Sequence, residues 1–339
     1  MNLNELLKQG ITEQDKQRSE ADKLAETSIR GGSIGIKVDG KIYGGCMRKH
    51  FLRMLGWQMP VEINTKVMFE AGFKNEDSVA EILKQAPCDV KQEEEYPVNY
   101  LPEGGSIRLT GRPDITVFKK GATEPEFGIE LKNISSIWTI NSVVGKGEPK
   151  SDHLVQAGFY SYMLGKQNNM EPLNYKLMYS NSMNWHILYN KYIASNFQGR
   201  THLAEHKYNK KYDTHDVFMI KPGRFVYDMR WDKNSLMYTV EGDTDYQPTC
   251  ITKEGYDNYI EELEDMYLAH KNGEDRELPP APMSKHVNGG KSYSICDYCE
   301  LSPICTSGNK SLTQFTKESI VAIKNKRSEL GQIENRIIY

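Results

Sequence analysis

Residues 111–133 read GRPDITVFKKGATEPEFGIELKN, which is two β-prone runs separated by a turn rich in lysine, glycine and proline. The runs predict two neighbouring strands, with Asp114 on the first and Glu130 and Lys132 on the second. Because side chains two positions apart on a strand point to the same face, Glu130 and Lys132 project together, while Leu131 points to the opposite, buried face. A carboxylate and an ammonium are therefore expected to share one cleft.

This combination of side chains is suited to metal-assisted hydrolysis of a phosphodiester. Asp114 and Glu130 offer hard oxygen ligands to Mg²⁺ or Mn²⁺, and Lys132 would orient the attacking water or help to deprotonate it. The other interpretation of an isolated Glu-x-Lys pair is a weak ion pair on the surface of a hairpin. Gly111 and Pro113 favour the site, because they restrict the backbone just before Asp114.

A helix predicted after these strands carries three more polar side chains. His153, Gln156 and Tyr160 follow one another at spacings of three and four, which places them on one helical face. The Gln156 amide and the Tyr160 hydroxyl would hold a phosphate or a strand end beside the metals. The alternative is a buried polar contact.

The remaining patterns predict a mixed α/β fold with one central sheet flanked by helices. Helical periodicity covers residues 66–85 and 253–273, and β-prone runs include 175–181 and FVYDMRW at 225–231. Along the chain we expect an N-terminal helical extension at residues 1–40 and one domain at 41–310. An insert-like region lies within that domain at about 190–250, and a C-terminal helix covers 311–339.

Four cysteines form a second constellation. Two residues separate Cys296 from Cys299, and five separate Cys299 from Cys305. Closely spaced thiolates of this kind can hold one soft metal centre. Cys46, which begins a predicted helix after two glycines, is the candidate for a fourth ligand that closes the N-terminal segment onto the C-terminal loop. A disulfide is the alternative, although it suits secreted chains better. Zinc and a [4Fe-4S] cluster both accept four cysteines, so the spacing leaves both open.

Three of these motifs together resemble the PD-(D/E)xK nuclease superfamily, in particular its RecB-like branch with a Q-x-x-x-Y motif. The motifs are GRPD at 111–114, ELK at 130–132 and QAGFY at 156–160. The resemblance implies a restriction-endonuclease-like core in which Asp114, Glu130 and Lys132 are catalytic. It also implies that the main-chain carbonyl of Leu131 completes the metal shell.

The family carries a further metal ligand on an upstream helix, a few residues after a glycine. The stretch FEAGFKNEDSVAEIL at 69–83 resembles that helix. The resemblance implies Glu76 as the ligand, where many members have His. Asp77 or Glu70 would be the ligand if Glu76 is not.

The cysteine pattern has its own resemblance. One distant N-terminal cysteine and a C-terminal C-x2-C-x5-C flank the core, as in the iron-sulfur nucleases: the CRISPR-associated RecB-like exonucleases, the AddB subunit and the eukaryotic nuclease-helicase of Okazaki processing. The resemblance implies a [4Fe-4S] cluster rather than zinc, as a structural staple on Cys46, Cys296, Cys299 and Cys305. Between 166 and 290 no residue is specific to that family, and no Walker A motif is present.

The charge balance limits the partners that we expect. With 43 Lys and Arg against 46 Asp and Glu, the chain is not basic throughout, so DNA would bind in a local groove. Arg48, beside Cys46 on the same predicted helix, is expected to contact phosphates there, unless that face is simply solvated. No apolar run approaches the ~20 residues of a membrane helix, and the N-terminus is charged. We therefore expect no membrane contact and a cytoplasmic location, in a bacterial cell or a phage-infected host.

The function expected from these features is a metal-dependent DNA exonuclease acting on single strands or free ends. Its setting would be phage, mobile-element or CRISPR-linked DNA processing, recombination or repair, with a recombination or CRISPR-adaptation protein as partner. Two alternatives stay open. One is a non-catalytic DNA-binding or partner subunit with the same fold, and the other is a restriction-type endonuclease.

Overall fold

A computed structural model describes residues 28–61, 63–134, 137–181, 185–188, 204–208, 216–220, 223–281, 296, 299–306 and 310–329. Residues 1–27 of the expected N-terminal helical extension and the last ten residues of the chain lie outside these ranges. None of the helices in the described ranges combines the length and the apolar character needed to cross a membrane.

The described strands and helices alternate along the chain. The strands are β1 (Ile29–Arg30), β2 (Gly35–Val38), β3 (Lys41–Gly44), β4 (Cys88–Gln92), β5 (Val98–Tyr100), β6 (Leu109–Gly111), β7 (Ile115–Lys119), β8 (Pro125–Asn133), β9 (Tyr175–Asn181), β10 (Trp185–Leu188), β11 (Ala204–Tyr208), β12 (Asp216–Ile220), β13 (Gly223–Asp232), β14 (Ser235–Val240) and β15 (Gln247–Thr252). The helices are α1 (Met47–Met54), α2 (Ile63–Leu83), α3 (Ile137–Ile140, continued by a π-helical segment, Asn141–Lys146), α4 (Ser151–Gln167), α5 (Lys253–Lys271), α6 (Ser302–Thr306) and α7 (Leu312–Glu329).

A seven-stranded sheet is the centre of the molecule. Its order is β15-β14-β13-β9-β8-β7-β4, in which β8 and β9 are parallel and the other neighbours are antiparallel. The parallel pair requires a long crossover, and α4 lies in the connection between β8 and β9. The prediction of a mixed α/β fold with a central mixed sheet flanked by helices is confirmed.

The two faces of the sheet bury different side chains, as strand alternation requires. On one face, Tyr175 and Tyr179 of β9 belong to the large core that includes α4 and α5. On the other face, Ile129 and Leu131 of β8 pack against Val79 of α2. The prediction that Leu131 points away from its neighbours Glu130 and Lys132 is therefore confirmed, and α2 and α4 lie on opposite faces of β8.

The N-terminal part of the described chain is not helical. Ile29 lies in β1, which pairs with β6, and Ile36 and Ile42 lie in the β2-β3 hairpin. All three side chains are fully buried, and β-branched residues are favoured in strands because they pack well on a pleated surface. The predicted helical extension over residues 1–40 is therefore wrong for its described part.

From residue 223 onward, the region predicted to be insert-like, about 190–250, contributes three strands to the seven-stranded central sheet. Strand β13 pairs with β9 along its length, and β14 and β15 follow in order. The alternating side chains Phe225, Tyr227 and Met229 are buried in the main core. Residues 223–250 of this region thus belong to the central sheet, whereas β10, β11 and β12 form a separate three-stranded sheet.

Candidate functional site

The two acids predicted on neighbouring strands lie together. Asp114 directly precedes β7 and is 9% exposed, while Glu130 on β8 is fully buried. One oxygen of Asp114, Oδ2, accepts a hydrogen bond from the Leu131 N–H at 2.6 Å. This bond fixes Asp114 against the backbone segment that carries Glu130, so a local backbone contact holds both carboxylates in place.

Lys132 connects the acids to α4. Its Nζ donates to Glu130 Oε1 at 2.6 Å and to Gln156 Oε1 at 3.2 Å. The Gln156 Nε2 in turn donates to the Tyr160 hydroxyl at 3.4 Å. Burial opposes the charge of Lys132, but Glu130 and Asp114 raise its pKa above the ordinary value, so the ammonium stays protonated. The structure thus joins Glu130, Lys132, Gln156 and Tyr160 in one line of hydrogen bonds.

Glu76 of α2 reaches the same cluster. Burial raises its pKa to about 7, and repulsion by Glu93 and Glu130 adds to the shift while Lys132 opposes it. Burial is the main cause of this shift, and the charges of Glu130 and Lys132 connect Glu76 to the acids on the strands. At neutral pH this carboxyl is close to its midpoint of titration, and a cation beside it would favour the ionised form.

The other two candidates on α2 are placed differently. Asp77 is exposed and its Oδ1 accepts a hydrogen bond from Gln92 Nε2 at 3.3 Å, at the end of β4. Glu70 is half-buried and lies between one and two helical turns before Glu76. Glu76 is therefore the member of this helix that fits a metal site best.

Glu93 is a residue of this site that the sequence analysis missed. It follows β4 with a backbone φ of 26°, a positive value that is uncommon for a residue other than glycine. It raises the pKa of Glu76 more than Glu130 does. The only signal for it in the sequence is the run of three glutamates at 93–95, which also fits a solvated turn.

Acid charge exceeds basic charge in this cluster. Burial raises the pKa of Asp114 and of Glu130, and repulsion by Glu130 and Glu76 raises that of Asp114 further. Glu130 Oε2 is buried and has no hydrogen-bond partner among the described residues. A buried carboxylate oxygen without a partner is costly, and a hard divalent cation is the ligand that such oxygens prefer.

The described part of the chain does not already hold these groups at metal-binding distances. Within it, no three His, Cys, Asp or Glu side chains are arranged so that they could hold a metal ion. The chemistry of the donors nevertheless fits Mg²⁺ or Mn²⁺, because three carboxylates, Glu76, Asp114 and Glu130, share one ammonium. The backbone of Leu131 borders them through its bond to Asp114.

His153 lies on α4 and contacts β9, the strand that pairs with β8 at Lys132. Its Nδ1 is 2.9 Å from the Tyr179 hydroxyl, which also accepts a hydrogen bond from the Lys150 N–H at 3.0 Å. Tyr179 on β9 is directly opposite Lys132 on β8. The start of α4 is therefore anchored over the sheet next to the acids, and His153 is part of that anchor.

Two glycines make room for Tyr160. A Cβ atom at Gly31 or at Gly111 would lie 2.4 Å from Tyr160 Cε1. Tyr160 is buried, and the Arg112 backbone N–H donates to its hydroxyl. The glycine of the GRPD motif is thus needed for a close approach between β6 and α4, and not for the backbone restriction that the sequence suggested.

The structure also brings the four cysteines into one region. Burial raises the pKa of Cys46 to about 11, and the thiols of Cys305 and Cys299 contribute to that shift. Burial likewise raises the pKa of Cys305, which Arg48 lowers and Cys299 and Cys296 raise. None of the four is in a disulfide. Thiolate ligands of a soft metal fit this group, because a cation would offset their mutual repulsion.

Local structure explains how the cysteines converge. The Cys299 N–H donates to the Cys296 carbonyl at 3.1 Å in a tight turn, and Cys305 lies on the following short helix α6. Cys46 precedes the first residue of α1, as predicted. Leu52 of α1 packs with Leu301 in a small cluster that also includes Cys299 and Cys305. The two distant parts of the chain therefore meet at the cysteines.

Arg48 has a different role from the predicted one. Its guanidinium donates to the Pro279 carbonyl at 2.7 and 2.9 Å and to the Cys305 carbonyl at 3.3 Å. The side chain is 9% exposed, so it does not face a DNA backbone. The predicted phosphate contact of Arg48 is wrong, because its donors already bind the C-terminal segment.

Comparison with protein-family models, with curated proteins and with solved structures gives no match to the chain. An inference about activity therefore depends on two features of the molecule. These are the acid cluster with Lys132 and the group of four cysteines.

Proposed function

We propose that the chain is a metal-dependent DNA nuclease of the PD-(D/E)xK type, acting as an exonuclease on single strands or free ends. The observation that carries the proposal is the buried Glu130 carboxylate, which has one oxygen on Lys132 and the other without a partner in the described structure, next to Asp114. Its setting would be phage, mobile-element or CRISPR-linked DNA processing, recombination or repair, with a recombination or CRISPR-adaptation protein as a partner.

Asp114, Glu130 and Glu76 would hold Mg²⁺ or Mn²⁺, with the Leu131 carbonyl as a further ligand. When bound, the metal supplies polarisation of the scissile phosphate and a lower pKa of the attacking water. The acids keep their negative charge in its presence, which reverses the pKa shifts caused by their mutual repulsion.

Lys132 is the residue that would position the attacking water. Its ammonium is fixed between Glu130 Oε1 and Gln156 Oε1, so one of its three protons remains for a water or a phosphate oxygen. A protonated lysine also stabilises negative charge that develops on the phosphate in the transition state. Gln156 extends this polar line onto α4, where DNA would lie, and His153 borders it. The buried Tyr160 hydroxyl would support Gln156 from the core side.

The four cysteines would hold a [4Fe-4S] cluster, with zinc as the alternative metal. Four cysteines outside any disulfide, from the two ends of the described chain, suit either centre. The cluster takes no part in hydrolysis in this proposal. It joins α1 to the C-terminal segment and so shapes the path of the DNA.

The test is digestion of end-labelled single- and double-stranded DNA with Mg²⁺, Mn²⁺ or EDTA. We expect metal-dependent digestion by the wild type, none by Asp114→Ala, and none by Lys132→Ala although that variant still binds DNA. Asp89→Ala is the matched control, because Asp89 is a surface residue of β4 that pairs with Lys120.

The other outcomes of the digestion favour another function or change the role of Lys132. No digestion by metal-replete wild type would favour the non-catalytic DNA-binding subunit. Cleavage of closed circular DNA at fixed positions would favour the restriction-type endonuclease. An unchanged rate in Lys132→Ala would remove Lys132 from the mechanism.

A further inference from the structure

Three buried side-chain oxygens have no hydrogen-bond partner among the described residues and lie on one face of the central sheet. They are Thr116 Oγ1 on β7, Glu130 Oε2 on β8 and the Tyr175 hydroxyl on β9. All three residues are at most 1% exposed. Since buried polar atoms in folded proteins are nearly always paired, three partnerless oxygens on adjacent strands call for a common explanation.

The strand register places these residues next to one another. Gly128 of β8 is paired with Thr116 on one side and with Tyr175 on the other. Directly paired residues point to the same face, and Glu130 shares that face because it is two positions from Gly128. Thr116, Tyr175 and Glu130 therefore surround one glycine.

Gly128 lets the tyrosine ring cross the strand. A Cβ atom at Gly128 would lie 2.1 Å from Tyr175 Cε2 and 2.5 Å from Cζ, the atom that carries the hydroxyl. The hydroxyl end of Tyr175 is thus over β8 and not over its own strand. Burial raises the pKa of Tyr175, and the charges of Glu130 and Asp114 add to that shift, as expected for a hydroxyl beside the acids.

Other buried tyrosines of the same core differ in this respect. The Tyr227 hydroxyl donates to the Val143 carbonyl, and the Tyr256 hydroxyl donates to the Val155 carbonyl. Each thus has a main-chain acceptor, which is the usual arrangement for a structural tyrosine. Within the described chain, Tyr175 has none.

We propose that Tyr175 is a positioning residue for Glu130. When the Glu130 carboxylate holds a divalent metal, the hydroxyls of Tyr175 and Thr116 are the donors that orient Glu130 Oε2. This inference rests on the proposed function. A carboxylate oxygen has two lone pairs, so it can bind a metal and accept a hydrogen bond at the same time. Because the metal takes one lone pair, Glu130 Oε2 accepts one hydrogen bond, which comes from one of the two hydroxyls or from a single water that both hydroxyls bind. This bond orients the carboxylate as outer partners of metal ligands generally do.

The experiment measures Mn²⁺ binding by electron paramagnetic resonance, without DNA, together with the thermal midpoint of the metal-free protein. In Tyr175→Phe we expect the Kd for Mn²⁺ to rise about tenfold. The metal-free midpoint should stay the same or rise, because the variant removes only a hydroxyl that is buried without a partner. Tyr227→Phe is the control, and it should lower the midpoint and leave the Kd unchanged.

The remaining outcomes separate this inference from the proposed function. Wild type that binds Mn²⁺ while Tyr175→Phe binds it equally well overturns the inference alone. Wild type without any Mn²⁺ binding overturns both. If Tyr175→Phe does not fold, Thr116→Val decides, since weakened Mn²⁺ binding in that variant supports the inference and wild-type binding overturns it.

Discussion

The imidazole of His50 shows how burial fixes the protonation of one residue. His50 is 1% exposed, its Nε2 accepts the Arg30 N–H at 3.0 Å, and its Nδ1 is 3.3 Å from the Tyr259 hydroxyl. Burial lowers its pKa to about 3, and the charges of Arg53 and Arg30 act in the same direction. The residue is therefore neutral in the folded protein at any pH near neutrality.

A pH dependence of stability follows from this neutral His50. The unfolded chain takes up a proton below pH 6.5, whereas the folded protein does so only near pH 3. The contribution to stability is thus present above pH 6.5 and is lost as the pH falls toward 3. Between pH 7 and pH 5 the free energy of unfolding should fall by about 2 kcal/mol more in the wild type than in His50→Gln.

Denaturant unfolding at pH 7, 6 and 5 measures this difference. The carboxyls whose pKa is raised increase the free energy of unfolding on acidification, and they do so equally in the wild type and in His50→Gln. The difference between the two proteins therefore reports on His50 alone. Parallel pH profiles would show that His50 is not buried as a neutral ring.

At the level of elements, the contact between β6 and α4 depends on Gly111. In Gly111→Ala the new Cβ would lie 2.4 Å from the buried Tyr160 ring, and overpacking of this kind costs about 1–3 kcal/mol. Gly72→Ala on α2 is the matched control, since nothing lies within 4 Å of its Cβ position. That change should stabilise the protein by about 0.5–1 kcal/mol.

The thermal midpoint of the two alanine variants checks this prediction, which requires shifts of opposite sign. A displaced Tyr160 would also disturb its bond to Gln156, and so the support of Lys132. The proposed nuclease activity should therefore fall in Gly111→Ala together with its stability. A midpoint equal to that of the wild type would mean that α4 accommodates the methyl group without strain.

How much the sequence predicts depends on the distance along the chain between the interacting residues. Asp114, Glu130 and Lys132 were found because two adjacent strands carry them, and alternation alone sets their faces. Tyr175 was missed because its place beside Glu130 is set by the pairing of β9 with β8 across a crossover. Arg48 was placed wrongly because a helical pattern gives the face of a charged residue but not the carbonyl groups that it meets.

The same limit applies to whole elements. The helices α2 and α5 were predicted within a few residues, and α4 was predicted around its polar residues His153, Gln156 and Tyr160, since each has a periodic apolar face. Strands β13 to β15 were placed in an insert-like region, because they join the central sheet through the pairing of β13 with the distant β9, which no local pattern reports. The first strands were missed since the glycines between Ile29 and Ile36, at positions 31, 32 and 35, also suit the end of a helix.

On the scale of the whole molecule, the chain is closed by contacts between α1 and the C-terminal segment. The Arg48 guanidinium holds the carbonyls of Pro279 and Cys305. Arg327 of α7 donates to the Gln58 carbonyl at 3.4 Å. These polar contacts surround the cysteines, so a metal centre there would join two parts of the chain that are already adjacent.

The proposed cluster predicts both colour and stability. Anaerobically purified wild type should be brown with a broad visible absorption band, and Cys299→Ala should lose the band and unfold at a lower temperature, because metal binding to the folded ligand set contributes to folding. Cys250→Ala is the control, since Cys250 lies on β15 away from the proposed ligands, and it should remain brown. Colourless wild type that carries one zinc per chain would replace the iron-sulfur centre with zinc and keep the same four ligands. If the wild type is colourless and free of metal, and Cys299→Ala has the same thermal midpoint, the cysteines hold no metal centre. The contact between α1 and the C-terminal segment then depends on Arg48 and the apolar contacts alone.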